Sequence, residues 1–143
     1  MKIDSKNETN SMELLYSMHR FVFEFDRVSD LSLQNQLKIT LSQFMIMMAI
    51  SYCPNSTQKE ISKYLNLTQA AVSRQIQNLC TINYLLRIEN PQSRREHIMI
   101  LTKNGEETLK DATKVLSLLL EDKFKIISSK DKKTIIQSIQ KLF

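Results

Sequence analysis

One glycine and two prolines in 143 residues leave almost nowhere for the chain to break regular structure, and that scarcity constrains the fold more than any motif does. The remaining residues are rich in Leu, Ile, Met, Lys, Gln and Glu, all compatible with helix. A mainly α protein follows, and with 42% apolar residues it can bury one core, so a single domain over 1–143 is expected.

Apolar spacing and capping residues divide this helical chain. From Ser11 to about Lys38, the residues Leu14, Leu15, Met18, Phe21, Val22, Phe25 and Val28 follow a three/four spacing, with a bend expected at Asp30 to Ser32. Thr40 offers a hydroxyl cap to a second, intensely apolar helix that ends before Pro54. Thr57-Gln58-Lys59-Glu60 has the capping-box pattern, which opens a third helix over about 58–65. Asn66 and Leu67 form a short connection, and Thr68 caps a fourth helix with Val72, Ile76, Leu79 and Cys80 on its inner side.

The period then changes. Tyr84 to Glu89 and His97 to Leu101 are short aliphatic runs on either side of the turn-prone, charged stretch Asn90 to Arg95, which predicts a β-hairpin. Asn83, just before it, tolerates positive φ. Thr102 caps a long helix carrying Leu109, Ala112, Val115, Leu116, Leu119 and Leu120, and a last helix after Ser128 carries Ile135, Ile136, Ile139, Leu142 and Phe143.

Helix, tight turn, helix and hairpin in this order make a winged helix-turn-helix, whose second helix enters the major groove of DNA. Turning Val72, Ile76 and Leu79 inward leaves Gln69, Ala70, Ser73, Arg74 and Gln77 outward, with Thr68 at the start. Gln can pair with adenine, Arg with guanine, Ser with a base edge or a phosphate, and Ala can approach a thymine methyl. The net charge of +5 is modest, but from Thr57 to Lys103 seven Lys and Arg stand against three carboxylates.

Four segments, in order, carry a further resemblance: Leu41-Ser42-Gln43-Phe44, Thr57-Gln58-Lys59-Glu60-Ile61, Leu67-Thr68-Gln69-Ala70-Ala71-Val72-Ser73-Arg74, and Ile100-Leu101-Thr102-Lys103-Asn104-Gly105. With these the chain resembles the MarR family of multiple antibiotic resistance regulators from about Ser11 to its end. The resemblance implies a homodimer on a pseudopalindromic double-stranded DNA operator, usually a transcriptional repressor relieved by a ligand or oxidant. It implies a winged helix-turn-helix DNA-binding lobe over 40–103 and dimerisation helices over 11–38 and 106–143, with Leu14, Phe21, Leu116, Leu120, Ile135, Ile136, Ile139 and Leu142 at the interface. Arg95 is then the wing arginine of the minor groove, Arg94 a phosphate contact beside Ser93, and Thr57 and Lys59 support the DNA backbone. Ser93 stands where the family commonly has an acidic residue that pairs with the wing arginine. Asn83 stands where it often has glycine.

The same resemblance implies a small amphipathic or aromatic effector held among the first, second and fifth helices, with Tyr16, His19, Arg20, Met47 and Tyr52 as candidate lining. Cys53 and Cys80 are expected to be buried, reduced thiols, since neither shows metal-ligand spacing. Oxidation of Cys80, in the fourth helix, would disturb DNA binding directly. No nucleophile–base pair, metal cluster or glycine-rich phosphate loop is legible, so neither enzyme activity, a cofactor nor a metal is expected. No signal-like or membrane-spanning run occurs, and a cytoplasmic protein without a membrane partner is expected. A second reading stays open: a winged helix that serves as a protein-interaction scaffold, or antagonist of another regulator, without reading DNA.

Overall fold

The computed structural model describes residues 5–142, with side chains from Asn10 onward except that of Arg94. The elements are α1 (Ser5–Leu37), α2 (Leu41–Tyr52), α3 (Gln58–Tyr64), α4 (Gln69–Thr81), β1 (Leu85–Asn90), β2 (Ser93–Leu101), α5 (Lys103–Phe124) and α6 (Ser129–Gln140). The mainly α winged helix-turn-helix is therefore present, with one two-stranded antiparallel sheet. Phe143, expected on the apolar side of the last helix, lies outside the described residues, as does the Arg94 side chain.

Hydroxyl caps start the helices where their spacing predicts. Thr40, Thr57, Thr68, Thr102 and Ser128 each accept a backbone N–H of the following first turn, satisfying a donor that the helix itself cannot. Thr57 and Glu60 complete the capping box: the Thr57 amide donates to Glu60 Oε2 at 2.8 Å. Asparagine does what glycine does in most chains. Asn55, Asn66 and Asn83 take positive φ of 63°, 52° and 60°, and Lys38 does so at 58° after α1.

Two expectations change here. The interruption expected at Asp30 is absent: Asp30 remains helical, and its Oδ1 accepts the Leu41 amide at 2.7 Å, fastening α1 to the start of α2. The charged loop 90–95 is also tighter than expected. Only Pro91 and Gln92 stand outside the strands, and the register moves from Glu89↔His97 to Asn90↔Ser93, so Arg94, Arg95 and Glu96 form a bulge on β2.

The core collects Leu33 and Ile39, the inner residues Phe44, Ile46, Met47, Ala49 and Ile50 of α2, and Ile61, Val72, Ile76, Leu79, Leu85, Met99, Ala112 and Leu116. It sits between α2, α4, the base of the hairpin and the first half of α5. The Met99 amide donates to the Ser56 carbonyl at 3.0 Å, and Thr57 bridges to Ile98, so the hairpin is tied to the residues that open α3. Away from this core, α6 has no buried residue, and α1 is exposed throughout 10–24. No helix among the described residues is long and apolar enough to cross a membrane.

Candidate nucleic-acid interface

Helix α4 buries Val72, Ile76 and Leu79, which fixes what its other sides present. Thr68, Gln69, Ala70, Arg74 and Gln77 are exposed, as expected. Ser73 is half-buried, because at 100° per residue it shares a stripe with Gln69, Ile76 and Cys80 that turns toward the hairpin. The exposed stripe is thus narrower than the sequence suggested.

Helix α3 meets the start of α4 through a direct bond: the Gln58 amide side chain donates to the Gln69 carbonyl at 3.3 Å. Lys59 is exposed beside it. Thr57 is only 8% exposed and its hydroxyl belongs to the α3 cap, so it fixes where α3 begins and has no free group for a ligand. Glu60 completes that cap, and the hydrogen bonds from the Thr57 amide and then hydroxyl hold its carboxyl below the usual glutamate range.

A groove of about 230 Å³ between α3, α4 and the hairpin is lined by Thr57, Gln58, Lys59, Gln69, Arg87, Arg95, Glu96, His97 and Met99. The structure therefore brings together Lys59, Gln69 and Arg95, which the sequence singled out, and adds Gln58, Arg87 and His97, which it did not. Alternation along β1 is the signal for Arg87: it shares a side with buried Leu85 and faces Met99 across the ladder. Ion pairs among the described residues join Arg27 to Glu24, Lys114 to Asp111 and Lys125 to Asp122, all exposed and none at the groove.

The wing tip is ordered without the ion pair that Ser93 cannot make. Asn90 Oδ1 accepts the Gln92 amide at 3.0 Å, an Asx turn that closes the tip, and Arg95 projects as an exposed side chain from the bulge.

The remaining residues fall elsewhere. Leu14, Phe21, Ile135, Ile136, Ile139 and Leu142 are exposed apolar side chains, between 43% and 66% accessible. Leu120 is half-buried, and Leu116, expected at a dimer surface, is instead 7% exposed in the core. Of the effector candidates, Met47 is fully buried, because α2 is apolar nearly all round, whereas Tyr16, His19, Arg20 and Tyr52 are exposed. Those five residues do not share one cavity wall in the chain. A small apolar cleft of about 100 Å³ lies instead between α1 and α5, lined by Phe21, Phe25, Val28, Leu119 and Phe124 with Glu24 and Lys123 at its rim. Cys53, expected inside, is exposed after α2. Cys80 is half-buried, and burial pushes its thiol up despite the opposing charge of Arg87, so it stays protonated and weakly nucleophilic at neutral pH.

A capped helix pair, a turn set by Asn66 and a hairpin docked beside the second helix define a winged helix-turn-helix. Residues 39–97 match the sequence model of the MarR family. The whole chain has the fold of that family's solved structures. It resembles a mutant MarR from E. coli complexed with operator DNA (TM-score 0.84, 21% identity, 94% of this chain and 96% of that one). It also resembles the transcriptional regulator BldR from Sulfolobus solfataricus (TM-score 0.83, 20% identity, 99% and 96%). The transcriptional repressor CouR, bound to a 23-mer DNA duplex, aligns with TM-score 0.79 at 22% identity over 90% of each chain. No curated protein sequence matches the chain.

Proposed function

We propose that the protein is a sequence-specific, double-stranded DNA-binding transcription regulator that works as a homodimer and is not an enzyme. One observation carries the reading: the exposed Gln69, Ala70, Arg74 and Gln77 stripe of α4 stands beside a groove where Lys59, Arg87 and Arg95 converge free of carboxylate partners among the described residues. In this reading α4 enters the major groove, while the wing, with Ser93, Arg94 and Arg95, reaches the neighbouring minor groove, where a narrow A·T-rich segment concentrates negative potential. Two relatives of the same fold are described as bound to operator DNA or to a DNA duplex, which supports it.

The chain is one unit in this proposal: 40–103 is the DNA-binding lobe, and 11–38 with 106–143 builds the dimer through Leu14, Phe21, Ile135, Ile136, Ile139 and Leu142. The exposed apolar side of α6 supports this, since a 12-residue helix that buries no residue is marginal in water. A two-fold dimer matches half-sites one turn apart on a pseudopalindromic operator. The family resemblance extends the proposal to a cytoplasmic repressor released by a small amphipathic ligand, for which the α1–α5 cleft is a better seat than the dispersed residues Tyr16, His19, Arg20, Met47 and Tyr52.

Selection of random duplexes by the purified protein tests the reading. A two-fold symmetric site with a steep salt dependence is expected, and Arg74→Ala should relax preference at one position of each half-site by about 1–3 kcal/mol. No enriched site and no binding at low salt would overturn it in favour of a protein-interaction scaffold.

A further inference from the structure

We infer that Arg87, on the first strand of the hairpin, seats a DNA phosphodiester between the wing and α4, with Gln58 and His97 as the neutral walls of that seat. This rests on the DNA-binding reading above and adds a backbone contact between the wing and the exposed stripe of α4.

The position follows from strand geometry. Leu85 and Arg87 occupy one side of β1, and their ladder partners Leu101 and Met99 occupy the same side of β2, followed by His97. Leu85 and Met99 are each 1% exposed, so this side of the hairpin is pinned to the core up to Arg87 and leaves it there. The Arg87 stem therefore starts at the edge of the core, and the side chain lines the groove together with Gln69. Ser73 and Cys80 lie along the α4 stripe that faces this arginine.

The chemistry of the groove selects the ligand. Lys59, Arg87 and Arg95 line it against the single carboxylate of Glu96, and none of these cations is in an ion pair among the described residues. An exposed guanidinium without an ion pair among the described residues, beside amide and imidazole groups, suits a phosphate oxygen pair, which it can meet with two parallel N–H donors. A base edge is a poor alternative. The seat lies between the helix that would read bases and the wing that would reach the next groove, which is where the sugar–phosphate ridge separating those grooves must pass.

A phosphate contact predicts a distinct signature: uniform loss across sequences and a shallower salt slope, with base preference untouched. The full-length protein and its selected duplex are titrated from low to moderate salt for wild type, Arg87→Gln, Arg87→Lys and Lys110→Ala, the last an exposed cation on α5 outside the interface. Arg87→Gln is expected to weaken binding roughly three- to tenfold near 0.15 M salt and to lower the log–log slope by about 0.9 per half-site. Arg87→Lys should keep most of the slope, and Lys110→Ala all of it, while thermal melting of the free variants guards against misfolding. Should Arg87→Gln destabilise the hairpin, Gln58→Ala serves as the second variant: it removes a wall of the seat and should weaken all duplexes equally at unchanged slope.

Wild-type protein that binds duplex DNA while Arg87→Gln retains its full slope overturns the phosphate seat alone. A changed sequence preference in Arg87→Gln overturns it in favour of base reading. Wild-type protein that binds no duplex at low salt overturns the regulator reading, and the seat falls with it.

Discussion

At Gly105 a hydrogen in place of a methyl group is what lets α5 begin against the hairpin. A Cβ there would stand 2.1 Å from the Tyr84 carbonyl oxygen, which already accepts the Thr102 amide at 3.0 Å, while the Thr102 hydroxyl donates to the Asn83 carbonyl at 2.7 Å. The contact is backbone on backbone and cannot be relieved by a rotamer change. Gly105→Ala should therefore lower stability by about 1–3 kcal/mol in urea unfolding, although alanine is the better helix former. A variant as stable as wild type would mean that α5 can shift at no cost. Glu60 gives a second residue-scale test, in pH. Its carboxyl is held below the usual range by the Thr57 amide and hydroxyl, so its contribution is complete above the ordinary glutamate value near 4.5 and is lost as pH falls through the depressed one. Glu60→Gln, which keeps an acceptor for the same amide, should lose less stability than wild type between pH 7 and pH 3. Parallel pH profiles for the two would remove Glu60 as a contributor to acid sensitivity.

Helices were legible because their signals are local. A threonine or serine before an apolar period marks a start, and Asn83 marks a junction in the left-handed region, so α2 to α6 begin after their expected caps, whereas α1 begins at Ser5 rather than Ser11 and β2 at Ser93 rather than His97. The hairpin was legible as a hairpin but not in its register, since pairing Asn90 with Ser93 and bulging the next three residues depends on contacts across strands. Side-chain roles divided in the same way. Gln69 and Arg74 followed from helical phase, whereas Arg87 and His97 joined the groove only through the ladder and the docking of Met99 on Ser56. Met47 and Leu116 went to the core for a related reason: on a helix that is apolar over more than one stripe, periodicity does not say which stripe is innermost. Asp30 was misleading in the opposite sense. A residue type that often interrupts helices here stays within one, and its carboxylate oxygen accepts the backbone N–H of Leu41 at the start of the next element.

Across the whole molecule, the two ends of the chain are built differently from its middle. The winged lobe shares one core with the end of α1 and the first half of α5, but α6 buries nothing, and about half of α1, some 50 Å long at 1.5 Å per residue, stands clear of that core with Leu14, Leu15 and Phe21 exposed. Charge is split between the same two regions. Over 10–37 the carboxylates Glu13, Glu24, Asp26 and Asp30 exceed Arg20 and Arg27, whereas over 123–141 six lysines meet only Asp131. In the proposed homodimer the apolar side of each α6 would pack on the exposed apolar side of the partner's α1, with opposite charge around the rim. Ile136→Glu places a carboxylate in the middle of that contact without touching the lobe's core. The variant should sediment as a monomer at concentrations where wild type is a dimer, and should keep the wild-type helical signal apart from α6. Loss of the second half-site should then weaken binding to the full symmetric operator by about 10²–10⁴-fold, the advantage that a linked second contact confers, while affinity for an isolated half-site stays near wild type. A dimeric Ile136→Glu variant would move the interface off α6, and a monomeric variant with undiminished operator affinity would separate DNA binding from dimerisation altogether.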